Sequence, residues 1–155
     1  MNILKPIISI IICQLAGLIG YLFTRPAIPT WYAFLRKPFF TPPDWVFGPA
    51  WIILYILMGI AASLVWQNRS DPKKTRNALT LFGVQLVLYA FWPFVFFGLK
   101  SPLAGLIEIT ILAAAILLTI HKFLGVSRTA GILLIPYFIW VSFASGLNLT
   151  IWFLN

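Results

Sequence analysis

Hydrophobic positions in this chain come in long blocks, not in short alternating or heptad patterns. Windows of about 19 residues isolate apolar spans near residues 5–24, 45–67, 77–98, 102–122 and 129–153. Each is close to the roughly 20 helical residues that cross ~30 Å of hydrocarbon. Polar or turn-forming groups separate them: Arg25-Pro26 after the first, Asn68 to Lys74 between the second and third, Gly98 to Pro102 between the third and fourth, and Gly125 to Arg128 between the fourth and fifth. The pattern predicts an all-α integral membrane protein, a five transmembrane helix bundle forming a single membrane domain over residues 1–155. A long structured loop, residues 25–44, joins the first two helices.

That loop and the start of the second span break the pattern. From Trp31 to Trp51 the chain carries four prolines and eight Trp, Tyr and Phe residues. The prolines deny it a continuous helix, while its aromatic content is too apolar for a solvated loop. It is expected to fold back onto the bundle.

Composition agrees with a bilayer as solvent: 61% of residues are hydrophobic and 9% charged, against about one-quarter charged in a soluble domain. The net charge of +8 would fit a nucleic-acid binder only if it formed one basic face. Its residues instead fall between spans, where they set topology and attract anionic lipid, so no nucleic-acid partner is expected. The first span lacks a small-residue cleavage site and is read as uncleaved. Short later loops force neighbouring spans to run antiparallel and put the termini on opposite sides. Seven Lys and Arg lie on the N-terminal side and four on the other. The positive-inside rule therefore places the N-terminus in the cytoplasm and the aromatic loop outside. Small residues, Gly17, Gly20, Gly59 with Ser63, Ala113 to Ala115 and Ala144 to Gly146, mark where helices approach closely.

Three spans carry aromatic stripes at helical spacing: Trp51 and Tyr55 in the second; Gln85, Tyr89, Trp92 and Phe96 in the third; Tyr137, Trp140 and Ala144 in the fifth. Converging, they would line a pocket of flat π faces with a few polar handles, Gln85, Tyr89, Tyr137 and Asn148, suited to a large planar hydrophobic molecule. Trp66 and Trp152 sit at span ends and read as interfacial residues. So does His121, beside Lys122. Glu108 stands about two turns inside the fourth span, where ionisation costs a few kcal/mol and a partner is required. Candidates are Lys100, the Arg36-Lys37 pair or water. One His, one Cys and three carboxylates on different elements supply neither a nucleophile, base and orienter nor a metal site, so hydrolysis and metal chemistry are not expected. Cys13 reads as a small packing residue.

Trp31-Tyr32, Leu35, Lys37-Pro38, Pro42-Pro43, Phe47-Gly48-Pro49, Trp51 and Leu54-Tyr55 resemble the signature of the tryptophan-rich sensory protein and translocator protein (TspO, peripheral-type benzodiazepine receptor) family. The resemblance continues through Gln85-Leu86, Trp92-Pro93, Phe96-Phe97-Gly98, Pro136-Tyr137, Trp140, Phe143-Ala144 and Leu147-Asn148. It implies a five-helix bundle whose first loop, with Trp31, Tyr32, Leu35, Pro42, Pro43 and Phe47, caps a pocket binding porphyrins such as protoporphyrin IX and benzodiazepine-like drugs. Residues matching Trp51, Trp92 and Trp140 line that pocket in the family, and Leu147 and Glu108 join the expected site. The function implied is a membrane receptor or sensor that regulates tetrapyrrole level or transport. Alternatives are a light- and oxygen-dependent porphyrin-degrading photo-oxidase using Trp51 and Trp140, and a porphyrin transporter. No cofactor is required, porphyrin being ligand or substrate, and family precedent favours a homodimer.

Two departures qualify the resemblance. Tyr89-Ala90 stands where relatives commonly carry Asn and a bulky residue, which puts benzodiazepine-type affinity in doubt. The C-terminal stretch Leu147 to Phe153 lacks the Tyr followed by Lys or Arg of the cholesterol-recognition pattern, so cholesterol is not an expected partner.

Overall fold

The computed structural model describes residues 2–155. Its elements in chain order are α1 (Leu4–Ala27), a 3₁₀ turn (Tyr32–Phe34), α2 (Asp44–Trp66), α3 (Pro72–Pro93) continuing as a π-helical turn (Phe94–Gly98), α4 (Pro102–Leu124), α5 (Arg128–Leu133) and α6 (Ile135–Leu154). Five segments are long and apolar enough to cross a bilayer: α1, α2, α3 with its π turn, α4, and α5 with α6. The fold is an all-helical membrane bundle.

Several boundaries differ from the hydropathy reading. α3 begins five residues earlier than residue 77. Asp71 caps it by accepting from Lys74 N at 3.2 Å, and Pro72 fills the first turn, where a missing N–H costs nothing. Hydropathy windows do not register a polar first turn. The same device opens α4, where Ser101 accepts from Ala104 N at 3.1 Å ahead of Pro102. α1 runs through Arg25-Pro26 to Ala27, so the connection to α2 covers residues 28–43, shorter than 25–44. The fifth span is two helices. Pro136 lacks the N–H that would bond Ile132, and the helix resets at Leu134.

Burial is patterned for lipid. On α1 the buried residues are Ser9, Cys13, Ala16, Gly20 and Ala27, a stripe of small side chains, while Ile7, Ile11, Leu15, Leu18 and Leu22 point outward. In lipid such outward aliphatics cost nothing, and close backbone approach supplies the attraction between helices. A Cβ on Gly59 would stand 2.6 Å from Ile10 Cα and 2.7 Å from Ile10 N, so α2 lies directly on the α1 backbone. Gly17 accepts the Tyr55 ring and Gly20 receives Pro93. The main core joins Cys13, Leu54, Phe82, Ile109, Ala130 and Tyr137, residues of all six helices. Trp66 and Trp152, read as interfacial, are each 38% exposed near helix ends.

Candidate functional site

The three aromatic stripes do meet. Trp51 of α2 lies 4.8 Å from Tyr89 of α3 and 5.9 Å from Trp140 of α6, centroid to centroid. Tyr55 sits one turn along α2, 5.4 Å from Tyr89, and the two phenol hydroxyls bond to each other. Tyr89 reaches Tyr137 at 6.0 Å, whose hydroxyl donates to Gln85 Oε1 at 2.9 Å. These contacts place six side chains from three helices in one cluster. Ala144 packs against the edge of this core.

Trp92 does not join that ring set as the sequence pattern implied. It stacks on Phe96 at 4.9 Å and meets Phe97 edge-on at 5.7 Å. Its Nε1 donates to Gly105 O at 3.1 Å and Asn148 Oδ1 at 3.2 Å. Asn148 Nδ2 in turn donates to Pro102 O at 2.8 Å, so this "handle" is spent on tying α3, α4 and α6 together. Gly105 is required there, since a Cβ would fall 2.8 Å from Phe96 and 3.1 Å from Asn148 Oδ1. Phe96 and Phe97 lie in the π-helical turn after Pro93 and pack both on Trp92 and on the loop residues Trp31 and Tyr32.

The loop packs on the second cluster. Trp31 packs edge-on against Phe96 at 5.4 Å and Phe97 at 6.4 Å, and Tyr32 against Phe97 at 5.6 Å. Leu35 and Phe47 complete this second cluster with Leu147. Phe47 also meets Trp140 at 5.9 Å, linking cap and chamber. Lys37 is not available to Glu108. Its Nζ donates to Tyr32 O at 2.8 Å and Leu35 O at 3.3 Å and stands over the Tyr32 ring at 4.6 Å. Burial pushes the Tyr32 phenol up to about 12, with the charge of Asp44 adding to the effect. Pro43 is the residue before α2 and is exposed, and Pro42 is half-buried; they shape the connection into α2, and no ring contact joins them to the chamber among the described residues.

Sequence reasoning missed three contributors. Asn155 holds the loop from across the molecule: its Oδ1 accepts from Arg36 N at 3.0 Å and its Nδ2 donates to Arg36 O at 2.9 Å. Phe97 anchors both Trp31 and Tyr32, and Phe143 touches Phe40 at 6.3 Å and Trp140 at 5.9 Å. Nothing local marks Asn155, whereas Phe97 and Phe143 lay in conspicuous aromatic runs.

Glu108 is buried on the α4 face that carries Gly105, Ile109 and Leu112. Its two carboxyl oxygens have no hydrogen-bond partner, nor do Gln85 Nε2 and Trp140 Nε1. The expected pairing with Lys100 or with Arg36-Lys37 is therefore not made. At the opposite end of the bundle are two clefts rimmed by basic residues. One, of about 590 Å³, is lined by Asn68, Arg69, Thr75 and Arg76, and the other, of about 400 Å³, by Lys74, Asn77, His121 and Lys122. Neither shares a residue with the aromatic site. The site itself offers π surface, phenols and a few unpaired polar atoms.

The sequence model of the TspO/MBR family matches residues 9–153. The chain is similar to the tryptophan-rich protein TspO of Archaeoglobus fulgidus, 46% identical over 155 residues and covering 100% of this chain and 99% of that one. It is 35% identical over 140 residues to the translocator protein of Homo sapiens, with 90% and 83% of the two chains covered. To the tryptophan-rich sensory protein of Cereibacter sphaeroides it is 37% identical over 118 residues, covering 76% and 72%.

Proposed function

This chain belongs to the TspO/MBR family, and from that premise we propose that it is a membrane receptor or sensor for porphyrins such as protoporphyrin IX, regulating tetrapyrrole level or transport. The observation that carries the reading is the meeting of Trp51, Tyr89, Tyr137 and Trp140 from three helices beneath Phe47, in the first turn of α2, which meets Trp140. Flat π faces at several orientations suit a flat, apolar guest. Because the rings contact one another, the guest enters by displacing Phe47 and the cap, and the rings spread to take it. The basic-residue bias orients the N-terminus toward the cytoplasm and the cap outward, and the protein works as a homodimer.

Titration with protoporphyrin IX tests this. Saturable quenching of tryptophan fluorescence is expected, weakened in the W51F/W140F double variant, and quenching without saturation rejects it.

One observation favours a second reading. Trp51 and Trp140 are in mutual contact and Trp51 touches the bonded pair Tyr55 and Tyr89, so a guest against Trp51 would neighbour several oxidisable rings. That arrangement fits light- and oxygen-dependent porphyrin breakdown. Loss of porphyrin absorbance under illumination, at the same rate with the W51F/W140F protein as with the parent, excludes it.

A further inference from the structure

We propose that the cleft between the start of α3 and the end of α4 is a binding site for the phosphate headgroup of an anionic phospholipid. The cleft, of about 400 Å³, is rimmed by Lys74 and Asn77 of α3 and by His121 and Lys122 of α4, with Leu124 and Gly125 beside them. All four polar side chains are exposed, and no carboxylate lines the cleft among the described residues. The three Asp and Glu of the chain are placed or engaged elsewhere. Asp44 opens α2, Glu108 is buried within α4, and Asp71 caps α3 by accepting from Lys74 N. The cleft shares no residue with the aromatic chamber and owes nothing to the guest bound there.

Its depth and rigidity suit that ligand. Lys74 and Asn77 directly precede the apolar run of α3, and His121 and Lys122 close that of α4, so the rim lies at the level of the headgroups. Phe82 stacks on Phe123 at 5.7 Å between the two helices. Asn68 Nδ2 donates to Val126 O at 3.0 Å and ties the turn before α3 to the turn after α4. Charges fixed in this way need little ordering when a ligand arrives. The neighbouring cleft with Arg69 and Arg76 lacks this construction, because its lining comes from residues 68–80 alone and includes no second helix among the described residues.

The rim donates. Two ammonium groups, an amide and an imidazole offer N–H to phosphate oxygens, which only accept. A zwitterionic lipid brings its own cation, and with no carboxylate in the lining that cation meets like charge, so the cleft discriminates by repulsion as well as attraction. Apolar surface continues inward from the rim. Helical spacing puts Leu81 and Val84 on the α3 face of Lys74 and Asn77, and on α4 Leu117 and Leu118 lie one turn inward from His121 and Lys122. Val84, Leu117 and Leu118 are exposed and can receive acyl chains. A soluble phosphate would use the rim alone, whereas a phospholipid uses rim and stripe together.

The test uses the whole chain in micelles of a neutral detergent, with native mass spectrometry to count bound lipid and three probes: dioleoylphosphatidylglycerol, dioleoylphosphatidylcholine and glycerol phosphate. The parent protein is expected to hold phosphatidylglycerol on the order of tenfold more tightly than phosphatidylcholine, and to melt at a higher temperature in its presence. In K74Q/K122Q the ratio of the two dissociation constants falls to near one. K73Q/R128Q carries the same net charge but changes residues outside the lining, and it keeps the parent's ratio. Asn77→Asp, which sets a carboxylate in the cleft, is a second variant expected to lose the preference. Equal losses in the two charge-matched variants mean attraction to basic surface alone and overturn the proposal. So do equal affinity of the parent for the two lipids, a preference that survives both K74Q/K122Q and Asn77→Asp, and glycerol phosphate that binds as tightly as phosphatidylglycerol, which would make the cleft a site for a soluble phosphate.

Discussion

The indole of Trp140 stands edge to face against that of Trp51, their centroids 5.9 Å apart at 86°. This is the favourable arrangement for two aromatic quadrupoles, worth about 0.5–1.5 kcal/mol beyond the area buried. It ties α6 to α2 at the mouth of the chamber, directly under Phe47. Replacing Trp140 by Ala is expected to lower stability by about 3 kcal/mol at most, given its partial burial, and to weaken porphyrin binding. Thermal melting and fluorescence titration of the same preparation check both.

Helix approach makes a sharper prediction. Gly59→Ala places a methyl 2.5 Å from Ile10 Cγ1 and 2.6 Å from Ile10 Cα, where backbone cannot yield without parting α1 from α2. A loss of about 1–3 kcal/mol is expected. Gly83 in α3 has nothing within 4 Å of an added Cβ, so Gly83→Ala should gain about 0.5–1 kcal/mol through helix propensity. Detergent melting curves that move in opposite directions for the two variants are the expected result.

Asn148 joins three helices through its bonds to Trp92 and to Pro102 O. Asn148→Leu removes both. Interhelical hydrogen bonds in membranes average roughly 0.6 kcal/mol each, and the orphaned Trp92 Nε1 keeps Gly105 O, so a loss of about 1–2 kcal/mol is expected. The stacking of Trp92 on Phe96 should persist, and near-ultraviolet circular dichroism reports whether it does.

The clamp between Asn155 and Arg36 predicts loop exposure. Both bonds to the Arg36 backbone come from one exposed side chain, so Asn155→Ala costs on the order of 1 kcal/mol locally. Trypsin should then cut after Arg36 about fivefold faster. Lys37 is followed by Pro38, which leaves Arg36 as the site to watch.

Stability at high pH should depend on Tyr32. Burial and Asp44 hold its phenol neutral in the fold up to about 12, against an ordinary value of 10.0. Between those values the unfolded chain has released the proton while the folded chain keeps it, so stability falls as pH rises through that window and the loss is complete above it. Tyr32→Phe removes this contribution. The difference in melting temperature between parent and variant should therefore shift in favour of the variant from pH 10 to 12.

Much of the candidate site was legible because helical periodicity assigns a face from local sequence alone. The spacing of Gln85 with Tyr89, Tyr137 with Trp140, and Trp51 with Tyr55 placed each pair on one face, and those faces meet. Trp92 shares the stripe of Tyr89, yet its ring contacts are to Phe96 and Phe97 and its Nε1 bonds Gly105 O and Asn148, so it packs between the main core and the cap cluster. Glu108 was recognised as costly, but its lack of a partner was not, since Lys37 is drawn to the carbonyls of Tyr32 and Leu35 instead.

The sequence by itself determined the count of spans and the inward stripe of each helix. A bilayer demands a long apolar segment whose backbone bonds are satisfied internally, and both demands are written in consecutive residues. Tertiary structure alone decided which stripes face one another, where helices begin and kink, and which polar atoms are left unpaired. Lipid is as apolar as leucine, so no hydrophobic force selects helix partners. Close contacts such as Gly59 on Ile10 and bonds such as Asn148 to Pro102 select them, and these join residues far apart in the chain.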